Sequence, residues 1–254
     1  MQAIVLAGGE NNIGGEELPE AFLPVGGKYM LDRLVEVLLA CPFSRIVVVG
    51  PPAVAGRYPD RRVSFAPAGV TPATSLLAGL ERVDEEEEVF IVTADLPLLR
   101  RETVLAFLQE AGKGYDLIYP VVPRETIEKD FPGGRRTYVR LREGVFTGGN
   151  AVIARPRMLK ALAGELEGII SLRKRPWRLA RRLGVSFLFR LVLGRLSIAD
   201  VEKKVEEMFH LRGKGLIFPY ADMGFDVDKA DDLEKVTLWL QKRRRGKEGE
   251  CNFH

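Results

Sequence analysis

The stretch Ala3–Gly9 reads "AIVLAGG". Five apolar residues run without a polar break and then meet two glycines. An unbroken apolar run marks a strand buried on both faces, as in a parallel sheet. Glycines directly after such a strand let backbone N–H groups approach an anion, which makes Gly8 and Gly9 candidates for a phosphate turn. The loop that follows is acidic: Glu10, Glu16, Glu17 and Glu20 all precede Lys28, with no lysine or arginine among them. A phosphate turn lined with carboxylates needs a source of positive charge.

Working outward, short β-branched runs alternate with helical patterns. "KYMLDRLVEVLLAC" places Met30, Leu31, Leu34, Val37 and Leu38 at helical spacing; "SRIVVVGPP" is a second continuous strand. "ATSLLAGLERV" reads as helix, "EVFIVTADLPLL" as strand, "ETVLAFLQEAGK" as helix and "YDLIYPVV" as strand. Strand–helix alternation of this kind predicts right-handed βαβ units: a Rossmann-like, doubly wound α/β fold with a mixed, mostly parallel sheet. The regularity stops near Pro123. A hairpin region is expected up to "GGNAVIA", then a helical insertion over about 156–212, then a short strand, an acidic turn and a last helix. We read 1–241 as one domain and the polar 242–254 as a disordered basic tail.

Two acidic sites stand out. Asp95 ends the apolar strand of "VTADLPLL", at the edge where open α/β sheets take ligands. An ionised carboxylate there binds metal or caps a helix starting at Leu96; hard oxygen suits Mg²⁺ beside phosphates. In "GFDVDKADDLEKV", Asp226 and Asp228 alternate, so an extended backbone turns both to one face. Asp226 is the stronger candidate, with Asp228 the fallback choice or a turn residue, while Asp231 and Asp232 suit a helix N-terminus.

Taken in order, "LAGG…LPEAFLPVGGKYMLDRL", "ATSLLAGL", "VTADLPLL", "TGGNAVI" and "GFDVDKADDLE" resemble the MobA-like and sugar-phosphate nucleotidyltransferase superfamily from Met1 to about Gln241. The resemblance implies a nucleotide-diphospho-sugar transferase type of fold. It implies an enzyme that transfers a nucleotidyl group from an NTP to a small phosphorylated acceptor and releases pyrophosphate. By the same mapping Leu6, Ala7, Gly8, Gly9 and Ser75 meet the nucleotide, Asp95 and Asp226 hold Mg²⁺, and Gly149 and Asn150 face the acceptor. The chain departs from the pattern at the triphosphate: the loop has no arginine, and Glu20 stands where the family has lysine. Lys28, an arginine from elsewhere or an extra cation then has to supply the charge that phosphoryl transfer demands. The alternative is a non-catalytic nucleotide- or sugar-binding member of the same fold. A glycosyltransferase is disfavoured, because "DVD" at Asp226–Asp228 comes near the chain's end.

Between Arg173 and Arg195 the chain reads "RKRPWRLARRLGVSFLFRLVLGR", eight basic residues with no acid. Leu179, Leu183, Phe187 and Leu191 form an apolar stripe at i+4 steps. The segment is read as a roof whose Arg178, Arg181 and Arg182 hold an anionic acceptor, with Arg178 and Arg182 as the chosen residues. Peripheral membrane contact through 173–195 and a homo-oligomer interface are left open. Ser197 and Asp200 form a capping box for the next helix.

The bulk numbers exclude several classes. The 254 residues carry a formal net charge of +3, too mild to argue nucleic-acid binding. No run is long enough to span a membrane. Two cysteines, Cys41 and Cys251, are too few for a disulfide framework, so a cytoplasmic location is expected.

Overall fold

In a computed structural model, residues 1–9, 19–134, 136–165 and 183–250 are described, the side chains only as far as Gln241. Among them nine strands form one sheet, in the order β5 (Val63–Pro67), β4 (Ile46–Gly50), β1 (Gln2–Leu6), β6 (Val89–Thr93), β10 (Ala151–Ala154), β7 (Leu117–Pro123), β9 (Gly144–Gly148), β8 (Val139–Leu141), with β11 (Gly213–Ile217) also paired to β7. Strands β2 (Pro24–Val25) and β3 (Lys28–Tyr29) pair separately. The parallel half contains β1, β4, β5 and β6. Strand β10 runs antiparallel between β6 and β7. The hairpin of β8 and β9 continues the sheet from β7, and β11 lies parallel to β7. The expected mixed, mostly parallel α/β sheet is therefore present, and the "AIVLAGG" strand lies at its centre.

Two apolar layers cover the faces. Alternation along β1 sends Ala3 and Val5 to one side, into a cluster with Met30, Leu34, Phe90 and Phe107. Ile4 points the other way, to Val47, Val49, Leu76 and Leu80. Helix α1 (Met30–Leu39) brings Met30, Leu34 and Leu38, at i, i+4 and i+8, to the first layer, and α2 (Pro72–Leu80) closes the second. Burying each large side chain contributes about 1.5–3 kcal/mol. Thr71 caps α2 through a capping box with Thr74, which fixes where the helix begins. Helix α3 (Arg101–Glu110) follows the β6 turn.

The differences from the sequence reading are local. β5 joins the edge of the sheet, where only Ala66 of its five residues is buried, so it lacks an apolar signature. After Pro123 the chain makes a short helix, α4 (Arg124–Asp130), instead of entering the hairpin at once; only Ile127 of it is buried. The insertion holds α5 (Pro156–Ala161), α6 (Val185–Val192) and α7 (Ile198–Phe209), with Ser197 and Asp200 forming the expected capping box. The last helix, α8 (Ala230–Glu250), continues past Gln241.

Candidate active site

Three ends of the sheet meet beside the double glycine. Ala94 N–H donates to the Leu6 carbonyl at 2.9 Å, which ties the turn after β6 to the end of β1. Val227 N–H donates to the Asp95 carbonyl at 3.0 Å, which draws the acidic turn alongside. Asn150 joins the end of β6 to the acidic turn. Its carbonyl accepts from Thr93 N–H at 3.2 Å, its N–H donates to Met223 at 3.0 Å, and its side chain hydrogen-bonds Asp226. Asp222 anchors the base of the turn. Only 2% exposed, it accepts from Arg100 and from Thr103 Oγ1.

As a result, Asp95, Asp226 and Asp228 each offer a carboxylate oxygen, and these oxygens lie within 4.8 Å of one another. Asp95 does not cap a helix: the chain turns until Arg101, and the carboxylate accepts from Thr93 Oγ1 instead. Burial, then the Asp226 charge, pushes the Asp95 carboxyl up to about 7, against the lowering effect of the Thr93 hydrogen bond. Burial raises Asp226 too, although the Arg136 guanidinium pulls it back. Like charges crowded at partly dry positions are costly, and a divalent cation relieves that cost.

The cleft itself has a volume of about 200 Å³. Leu6, Ala7, Gly8, Gly9 and Ser75, all expected to meet nucleotide, line it together with Asp95. Close approach requires Gly8, where a Cβ would fall 2.8 Å from Ala68 Cβ; a Cβ on Gly9 would meet only the tip of Glu20, 2.5 Å from its Oε2. Ser75 is buried and pins the facing loop, accepting from Gly69 N–H at 3.0 Å and donating to its carbonyl at 3.3 Å. That loop presents Val70, fully exposed, at the rim.

Glu20 reaches into this cleft, above Gly9. Burial, then the charges of Asp95, Asp228 and Asp226, pushes its carboxyl up to about 7. No lysine or arginine is among the described residues lining the cleft. Lys28, expected to act there, is not brought to it: its ammonium pairs with Glu36 on α1 at 2.7 Å and is half-exposed. Arg136 does not supply that charge to the cleft, because its side chain is committed. It faces Asp226 at 3.3 Å and Asp232 at 3.6 Å, donates to the Asp226 carbonyl and stacks on Phe225 at 4.1 Å. Asp232 therefore holds Arg136 besides opening α8.

Gly149 is packed under Pro120 and Met223, where a Cβ would come within 2.7 Å of Pro120. Arg178, Arg181, Arg182 and most of the basic stretch lie outside the described residues. Of its apolar stripe, Leu183, Phe187 and Leu191 are half-buried, while Val185, Phe189 and Val192 of α6 face outward. No helix among the described residues is long and apolar enough to cross a membrane.

Comparison with known proteins agrees with this fold. A hypothetical transferase from Thermus thermophilus superposes with a TM-score of 0.82 at 35% identity, covering 92% of this chain and all of that one. The 2-C-methyl-D-erythritol 4-phosphate cytidylyltransferase of Neorickettsia sennetsu is 31% identical over 151 residues, 55% of this chain and 65% of that enzyme. The bifunctional protein GlmU of Alkalilimnicola ehrlichii is 27% identical over 131 residues, 50% of this chain and 28% of that protein. The chain thus spans less than two thirds of the curated relatives it matches. The profile of the MobA-like NTP transferase domain matches residues 3–183, and the chain belongs to that family.

Proposed function

We propose that the protein transfers a nucleotidyl group from an NTP to a small phosphorylated acceptor, with release of pyrophosphate, using Mg²⁺. One observation carries the reading: three carboxylates from two distant segments converge within 4.8 Å beside a double-glycine cleft. The donor set is all hard oxygen, which fits Mg²⁺ held jointly with substrate phosphates. Asp95, Asp226 and Asp228 would hold it, and when bound it supplies positive charge to the triphosphate.

The remaining work falls to the chain. Gly8 and Gly9 leave room for phosphate against the backbone at the end of β1. Ser75 holds the loop that carries Val70, an apolar rim suited to a base. An acceptor phosphate oxygen attacks the α-phosphorus; the new P–O bond forms as the α–β anhydride breaks and pyrophosphate leaves. The nucleophile is already an anion, so no side-chain base is required. Thr93 and Asn150 keep the two aspartate segments in register for this step.

The cleft lacks a described lysine or arginine, and residues 10–18 contain neither. The reading therefore makes turnover depend strictly on a divalent cation that outweighs Glu20. The same observation favours a second reading, a non-catalytic binder of nucleotide. Pyrophosphate release, measured over a panel of NTPs and sugar phosphates with Mg²⁺ or chelator, decides between them. Metal-dependent release supports transfer; Mg²⁺-dependent NTP binding with no release under any pairing leaves the binder.

A further inference from the structure

At the other end of β1 the sheet carries a second, wider hollow of about 770 Å³. Gln2 and Leu6 sit at opposite ends of the strand, about 13 Å apart at 3.3 Å per residue, so the hollow is separate from the cleft. Its walls come from segments entering or leaving the parallel layer: Arg45 before β4, Arg61 and Arg62 before β5, and Arg82 after α2.

Arg62 is occupied, gripping Asp60 at 3.0 Å and the Leu39 carbonyl at 3.0 Å. Arg45 gives one N–H to the Arg82 carbonyl at 2.7 Å, which sets the two side by side. Among the described residues, none of Arg45, Arg61 and Arg82 has a carboxylate at ion-pair distance, and all three are exposed. The acids sharing the hollow have donors of their own. Glu81 faces Lys160 at 3.5 Å, Glu87 the Met1 amino group at 3.3 Å, and Asp84 takes the Glu86 N–H at 2.9 Å.

The floor supplies the independent observation. Gln2 is 4% exposed, and its Oε1 accepts from Asp84 N–H at 3.1 Å. Its Nε2 is buried without a hydrogen-bond partner among the described residues. A buried amide donor calls for an acceptor. Guanidinium groups offer paired, planar donors that match phosphate oxygens.

We propose that this hollow is a second anion site, taking a small multiply charged phosphate on Arg45, Arg61 and Arg82. An anion there would bridge the entry ends of β1, β4 and β5, and the exit end of β1 and the loop after β5 line the cleft.

The test uses inorganic pyrophosphate with a metal chelator present, followed by calorimetry and by thermal unfolding. The wild type binds and its Tm rises. An Asp95→Asn/Asp226→Asn variant, altered only in the cleft, binds equally well. Replacing Arg45, Arg61 and Arg82 by Ala weakens binding at least about tenfold, as expected for lost charge-assisted hydrogen bonds. Arg61→Glu, one exposed change, gives a similar loss should the triple variant fail to unfold cooperatively. No binding by the wild type, unchanged affinity in the arginine variants, or loss in the cleft variant overturns the proposal. Equal affinity for chloride at the same charge concentration also overturns it, by reducing the site to general attraction.

Discussion

Replacing Asp95 by Asn should stabilise the protein while abolishing its chemistry. The native carboxyl titrates at about 7 against 3.8 for an ordinary aspartate. Between about pH 4 and 7 the folded state holds a proton that the unfolded chain has lost, so this group's contribution to stability falls as pH rises through that window. About three pH units at 1.36 kcal/mol each set a ceiling near 4 kcal/mol. Water reaching the open cleft screens part of that, and about 1–2 kcal/mol is a sober figure. For a chain of this size the gain corresponds to about 3–6 °C in Tm. Asparagine keeps an oxygen for Thr93 Oγ1 and carries no charge. Thermal unfolding with chelator should show the full gain at about pH 8, roughly a third of it at about pH 5, and almost none below about pH 4. Mg²⁺ should raise the Tm of the wild type at the highest pH and leave the variant unmoved. A variant that is less stable at about pH 8, or equally stabilised across that range, would falsify the account of a strained carboxylate.

Gly8→Ala places a methyl 2.8 Å from Ala68 Cβ, with backbone on both sides, and should cost about 1–3 kcal/mol in urea unfolding. Gly9→Ala meets only the tip of Glu20, so stability should hold while the KM for NTP rises. Asp222→Ala strips Arg100 and Thr103 of a buried partner; a loss of about 3–5 kcal/mol is expected, and a loss under 1 kcal/mol would show that the turn is anchored elsewhere. Lys28→Ala should change kcat/KM less than about twofold, since an exposed pair with Glu36 contributes under about 1 kcal/mol. A hundredfold fall would return that lysine to the cleft.

Much of this arrangement was legible from a few local features. "AIVLAGG" and "VTADLPLL" announce buried strands by unbroken apolar runs, and their ends mark the edge of the sheet where ligands bind. Edge structure is harder: β5 is largely exposed and α4 buries one side chain, so neither has a period to detect. Alternation put Asp226 and Asp228 on one face, but not against Asp95; the Val227–Asp95 backbone hydrogen bond that accomplishes this joins residues 132 apart in sequence. Arg136 and Lys28 show the opposite failure. Sequence reveals a cation but not its partner, and here Asp226, Asp232 and Glu36 claim both.

The most direct measurement is a Mn²⁺ titration followed by electron paramagnetic resonance, with and without NTP. The account predicts one tight ion in the wild type, bound more tightly with NTP, and its loss in Asp95→Asn, Asp226→Asn and Asp228→Asn alike. Unaltered Mn²⁺ binding in these three variants, or none in the wild type with NTP present, would contradict it.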